Sequence, residues 1–158
     1  MTDVRDRQRS RVYAWEERFV APRDTSSIAF ADAQRMVDAI WADMGLQFPP
    51  KVVPLPANAH TTVADATRLC IRLPDQTPSW CLLHELAHAM SSTYEGESDG
   101  HGATFMGLYA QMLVRYLRLP LDVLSESLRG AAIEVDIRAK PVFLDDQPIR
   151  RKTVNAPT

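Results

Sequence analysis

Cysteine is scarce in this chain. Two residues, Cys70 and Cys81, among 158 cannot make the disulfide framework of a small secreted domain, so a reducing, cytoplasmic setting is expected. Excess charge of either sign is also missing, with 18 Lys and Arg against 20 Asp and Glu and a net charge of −2. No nucleic-acid partner is expected from so balanced a surface. No run approaches the roughly 18 apolar residues of a membrane span, and Met1 to Arg9 is charged where a signal peptide would be apolar. Repeats and low-complexity segments are absent. So are a Gly-rich phosphate loop, a nucleophile elbow and a redox Cys-x-x-Cys, which removes the sequence support for those three chemistries.

What remains is an ordinary globular composition, 46% hydrophobic and 24% charged. The length fits one domain, read here as residues 1–144 with a polar tail over 145–158. The basic run Arg150-Arg151-Lys152 in that tail reads as solvated. A chain of this size buries enough apolar surface to fold without a metal or a disulfide. A metal, if one binds, would therefore serve chemistry.

The pattern predicts mixed α and β structure. Val12, Trp15 and Phe19 recur at helical spacing, and Ala33, Val37, Ile40, Trp41 and Met44 form one stripe of a helix stopped by Gly45. Val52 to Pro56 reads as a short strand confined by its prolines to an edge or a strand end. Thr67 to Leu73 alternates, with Thr67, Leu69, Ile71 and Leu73 on one face and Arg68, Cys70 and Arg72 on the other. The segment from Ala57 to Ala64 reads as a strand or a loop. Thr77 and Pro78 read as the cap and first position of a helix running to about Ser92. Helices are also expected over 103–119, with Thr104, Gly107, Gln111, Arg115 and Arg118 on its open side, and over 121–129. Ile133 to Ala139 alternates as a strand or extended arm would.

Histidine is rare too, with four in the chain, yet three lie within eighteen residues. His84 and His88 are four apart on the predicted helix, so both imidazoles project from one face and can reach one metal ion. Glu85 sits about 100° around the helix, close enough to hold and deprotonate a metal-bound water. Leu82, Leu83, Leu86 and Met90 fall on the opposite side, so the helix docks by one face and presents the histidines on the other. A catalytic zinc takes three protein ligands and keeps a place for water. His101, flanked by Gly100 and Gly102 at the start of the next helix, is the preferred third ligand. Glu97 and Asp99 are its rivals.

His84-Glu85-Leu86-Ala87-His88 followed by His101-Gly102-Ala103-Thr104-Phe105 resembles the SprT-like and related minimal zincin metallopeptidases. It is closer still to a small group of actinobacterial metallohydrolases, which share an opening similar to Gln8-Arg9-Ser10-Arg11-Val12-Tyr13. The resemblance implies a zincin-like α+β fold, with a small mixed or antiparallel sheet packed on the active-site helix and further helices around it. It implies His84, His88 and His101 as Zn²⁺ ligands, Glu85 as base, and a strand edge that receives an extended peptide or protein substrate. Many SprT-like proteins add a cysteine-rich zinc ribbon. This chain has no Cys-x-x-Cys, which argues against a DNA-directed role.

Other residues carry weaker expectations. Cys81 could close a four-ligand structural zinc site, although a buried thiol explains it as well. Tyr94, Tyr109 and Tyr116 are candidate oxyanion donors. Asp122 and Asp136 are candidate partners for a ligand histidine, His60 could line the cleft, and Arg68 and Arg72 could meet substrate. The expected function is a zinc hydrolase, a metallopeptidase above all. The alternative is a zinc-stabilised binding or regulatory protein without turnover.

Overall fold

A computed structural model describes residues 6–56 and 64–143. The possible strand or loop at 57–63, His60 within it, and the tail from residue 144 lie outside the described residues. The fold is mixed α and β, with five α-helices and two small sheets among the described residues. No helix among them is long and apolar enough to cross a membrane.

The chain enters through α1 (Arg9–Trp15), which opens into a π turn at Glu16–Val20 and a 3-10 turn at Ala21–Arg23. Ala21 N–H reaches five residues back to the Glu16 carbonyl, and Pro22, lacking an amide hydrogen, cannot resume the α-helical ladder. The apolar stripe Val12, Trp15 and Phe19 is buried, as its spacing predicts, and Glu16 and Val20 are buried with it. The Trp15 indole N–H donates to Ser127 Oγ at 3.0 Å, which docks α1 against α5 (Leu121–Gly130).

Helix α2 (Phe30–Asp43) buries Ala33, Val37, Ile40 and Trp41. Two antiparallel strands, β1 (Ser27–Ala29) and β5 (Gln76–Pro78), immediately precede α2 and α3 (Ser79–Met90) respectively, so their pairing sets both helix starts side by side. That pairing corrects one expectation: Thr77 is a buried strand residue and the helix begins at Ser79. The Asp24 carboxylate, rather than Thr77, accepts the Trp80 amide of the first turn at 3.1 Å. The second sheet has the order β2 (Lys51–Pro54), β4 (Cys70–Leu73), β3 (Asp65–Ala66), parallel between β2 and β4 and antiparallel between β4 and β3. The proline-bearing β2 is an edge strand, as proline requires, and β3 is the other edge. Helix α3 packs on α4 (Ala103–Leu117) and against β3, β4 and β5.

Three further expectations change. The alternation from Thr67 holds only from Cys70 onward, because Thr67 Oγ1 accepts the Leu69 and Cys70 amides and turns the chain there. Leu69 is consequently 58% exposed while Arg68 is 1% exposed. The Arg68 guanidinium lies over Trp41, Tyr94 and Phe143 and donates to the Phe48 carbonyl, so it is a core cation. Arg72 pairs with Asp65 across the β3–β4 register. The arm at 133–139 forms no strand; it runs over the side of α4 expected to be open. Gln111 donates to the carbonyls of Ile137 and Ala139. At Gly107 the arm comes so close that an added Cβ would stand 1.7 Å from the Asp136 carbonyl oxygen.

Candidate metal centre

Helix α3 supplies His84, Glu85 and His88, and its leucine face is buried as expected, with Leu82, Leu83, Leu86 and Met90 at most 3% exposed. The histidine face is largely covered as well, with His88 half-buried. His84, Glu85 and His101 are each about 5% exposed or less, because α1 and the start of α4 wall them in. His101 arrives from the loop just before α4. Phe105, one turn into α4, stacks on the His88 ring at a centroid distance of 4.3 Å. The ligand nitrogens of His84, His88 and His101 all lie within 4.8 Å of one another, and no other His, Cys, Asp or Glu among the described residues joins them. Cys81 is therefore outside the cluster, and burial pushes its thiol up to about 12.

The rivals of His101 have other work. Asp99 accepts the amides of Thr104 and Phe105 at the start of α4, a capping role, and Glu97 is exposed. Neither expected histidine partner is one. Asp122 turns to the Val123 amide and Asp136 to the Arg138 amide, each serving its own local turn.

The actual partners come from the N-terminal segment. Glu16 Oε2 lies 2.5 Å from His84 Nδ1 and accepts the Tyr109 hydroxyl at 2.7 Å. The Asp6 carboxylate accepts the His101 amide at 2.9 Å and lies 3.1 Å from His101 Nδ1. Gln8 completes the clasp. Its amide nitrogen donates to the carbonyls of His101 and Glu134, and its oxygen accepts the Glu134 amide. Gly100 makes room for this, with φ at +65° and a hydrogen where any Cβ would stand 2.8 Å from the Asp6 carboxyl carbon. Glu16 had a sequence signal, as a carboxylate inside the stripe Val12, Trp15, Phe19. Asp6 and Gln8 had none, since their role depends on tertiary contacts 93 to 126 residues away.

This arrangement fits a divalent metal. With Nδ1 of His84 and His101 each turned to a carboxylate, both Nε2 atoms present lone pairs to each other across 3.4 Å, and a cation between them relieves that repulsion. Two nitrogens bound at about 2.0–2.1 Å in a tetrahedral shell stand about 3.4 Å apart, and three imidazoles, two of them with carboxylates behind them, are a zinc-type donor set. Burial pushes His84 down to about 3 and His88 well below its ordinary value, so both are neutral at pH 7, the form that binds metal.

Glu85 stands beside the cluster with Oε1 buried and unpartnered among the described residues. Burial first, then the charges of Asp65 and Glu16, pushes it up to about 8. His84 and Glu85 open onto a cleft of about 560 Å³ whose wall includes Arg9, Tyr13, Glu17, Asp65 and Trp80. A cavity of similar size, about 580 Å³, lies on the far side of α3 among Ile28, Met36, Leu82 and Leu83. It is apolar and touches none of the histidines.

None of the three expected oxyanion donors lines the cleft. Tyr109 is fully buried on Glu16, Tyr116 donates to Asp43, and the Tyr94 hydroxyl accepts from Arg68. The chain matches no protein-family model, no curated protein and no solved structure.

Proposed function

We propose that this chain is a zinc-dependent hydrolase of zincin type, a metallopeptidase in which His84, His88 and His101 hold the ion and Glu85 is the general base. The observation that carries the reading is the convergence of three imidazoles within 4.8 Å beside the Glu85 carboxyl oxygen, unpartnered among the described residues. A bound Zn²⁺ supplies Lewis acidity and brings water ionisation to near neutral pH.

Glu16 and Asp6 orient His84 and His101 so that Nε2 of each faces the ion. Phe105 fixes the plane of His88 by stacking on it. Glu85 Oε1 takes the proton of the attacking water and returns it to the departing amine, and its position near the operating pH suits both transfers. The edge of β3 that no described strand pairs, along α3 and bordering the cleft through Asp65, offers backbone groups to an extended peptide, which favours a peptide over a small ester.

The test is Glu85→Gln, assayed for zinc content by elemental analysis and for hydrolysis of denatured casein. Zinc near one per chain with hydrolysis abolished is expected. Full activity in the variant would refute the mechanism.

A further inference from the structure

Hydrolysis of a carbonyl compound needs a donor at the oxygen that turns negative, and no expected tyrosine reaches the cleft. All four tyrosines of the chain lie among the described residues, and only Tyr13 lines the cleft with His84 and Glu85. Its ring lies edge-on to His101 at 5.1 Å and nearly parallel to His84 at 6.0 Å between centroids. The phenol is thus placed beside two of the three ligand histidines on the side that opens to solvent.

Tyr13 is 42% exposed, next to the buried Val12 on the same helix. Its hydroxyl has the Arg9 side chain as a hydrogen-bond partner, a donor that takes a lone pair of the phenol oxygen and not its proton. Arg9, one turn earlier, places its guanidinium carbon 5.6 Å from the ring centroid, so the neighbour of the phenol is a cation, which leaves the hydroxyl proton available. Trp80 also lines the cleft, but it stacks on none of the histidines, whereas Tyr13 touches two.

We infer that Tyr13 is the oxyanion-binding residue of this site, a hydrogen-bond donor to the substrate oxygen. The inference rests on the hydrolase reading above and adds a residue to it. As water adds to the peptide carbon, its proton passes to Glu85 and the carbonyl π pair moves onto oxygen. Tyr13 O–H donates to that oxygen while keeping its own proton. When the pair returns and the C–N bond breaks, Glu85 gives the proton to the amine. A donor of this kind, aimed where charge develops, contributes about 10²–10³-fold to kcat.

The experiment compares the native protein, Tyr13→Phe and Tyr94→Phe in two assays. In the first, the cobalt-loaded protein is titrated with inorganic phosphate, a tetrahedral oxyanion, and the visible spectrum is read. Tyr13→Phe should weaken phosphate binding about tenfold, the worth of one hydrogen bond to an anion, while Tyr94→Phe leaves it unchanged. In the second, casein hydrolysis by the zinc-loaded protein should lose about 10²-fold in kcat in Tyr13→Phe with KM and zinc affinity retained.

Native phosphate affinity together with native kcat in Tyr13→Phe overturns the assignment. If Glu85→Gln is inactive while Tyr13→Phe matches the native protein in both assays, the hydrolase reading stands and the role of Tyr13 fails. If no hydrolysis is seen but phosphate binding depends on Tyr13, the oxyanion site stands and the hydrolase reading fails. Loss of cobalt binding in Tyr13→Phe would make the residue structural and also overturns the assignment.

Discussion

Replacing Glu16 by Gln keeps the shape of a buried side chain and removes its charge, and the structure makes the consequences for metal and for fold diverge. Glu16 is 3% exposed and has two partners, the His84 imidazole and the Tyr109 hydroxyl. A glutamine oxygen in the place of Oε2 still accepts from both, so neither partner is left as a buried orphan, a loss worth about 1–3 kcal/mol each. The metal-free fold also sheds a carboxylate that burial already pushes up to about 7. Its melting temperature in chelator should therefore hold or rise.

Zinc affinity should fall. A neutral amide behind His84 polarises the ring less, and loss of such a partner costs 10–100-fold in affinity, about 1.4–2.7 kcal/mol. Competition against a chromophoric zinc chelator measures the affinity, and thermal melts in EDTA measure the metal-free fold. Glu16→Gln binding zinc as tightly as the native protein would refute the idea that Glu16 orients and polarises a ligand. A large drop in metal-free stability would show Glu16 to be a structural ion instead.

Two further outcomes follow from burial. In the metal-free protein Glu16 and Glu85 are raised to about 7 and 8 from an ordinary 4.5, so the stability they contribute is fully present below pH 4.5 and is lost as pH rises through the raised values. His84, lowered from 6.5 to about 3, acts in the opposite sense, its contribution being fully present above pH 6.5 and lost as pH falls toward 3. The two effects oppose each other between 4.5 and 6.5, and above 6.5 only the carboxylates act. Glu85 alone should then withdraw roughly 2 kcal/mol between pH 6.5 and 8; urea melts in EDTA at those pH values should show the decline and zinc should abolish it, whereas a flat metal-free profile counts against the burial of Glu85. Separately, Gly107→Ala drives a methyl group into the Asp136 carbonyl and should cost at least the 1–3 kcal/mol typical of overpacking. A urea midpoint equal to that of the native protein would mean the arm at 133–139 yields freely.

The elements that local pattern could reach were those with one apolar face. The stripe of α2 and the leucine face of α3 came directly from helical spacing, and the prolines of β2 narrowed it to an edge or a strand end. Errors arose where a side chain or a second strand overrode local preference. Thr67 turned the chain and exchanged Leu69 for Arg68 in the core. Pairing of β5 with β1 displaced the helix start from Pro78 to Ser79. The side of α4 read as solvated is covered by the arm, since small and polar residues there accept a close backbone as readily as water.

The candidate site divides in the same way. His84, Glu85 and His88 were legible because an α-helix converts a spacing of four residues into one face, a property of the backbone that needs no knowledge of the rest of the fold. His101 needed only a return to the same helix. Which carboxylate meets which histidine could not be read: Glu16 showed only as a charge inside an apolar stripe and Asp6 not at all, because their contacts with His84 and His101 span 68 and 95 residues. The sequence by itself determined which atoms could bind a metal. Tertiary structure decided that α1 would close over them, bringing two carboxylates behind the imidazoles and Tyr13 to the mouth of the cleft, because only packing can place charges from opposite parts of the chain in one dry site.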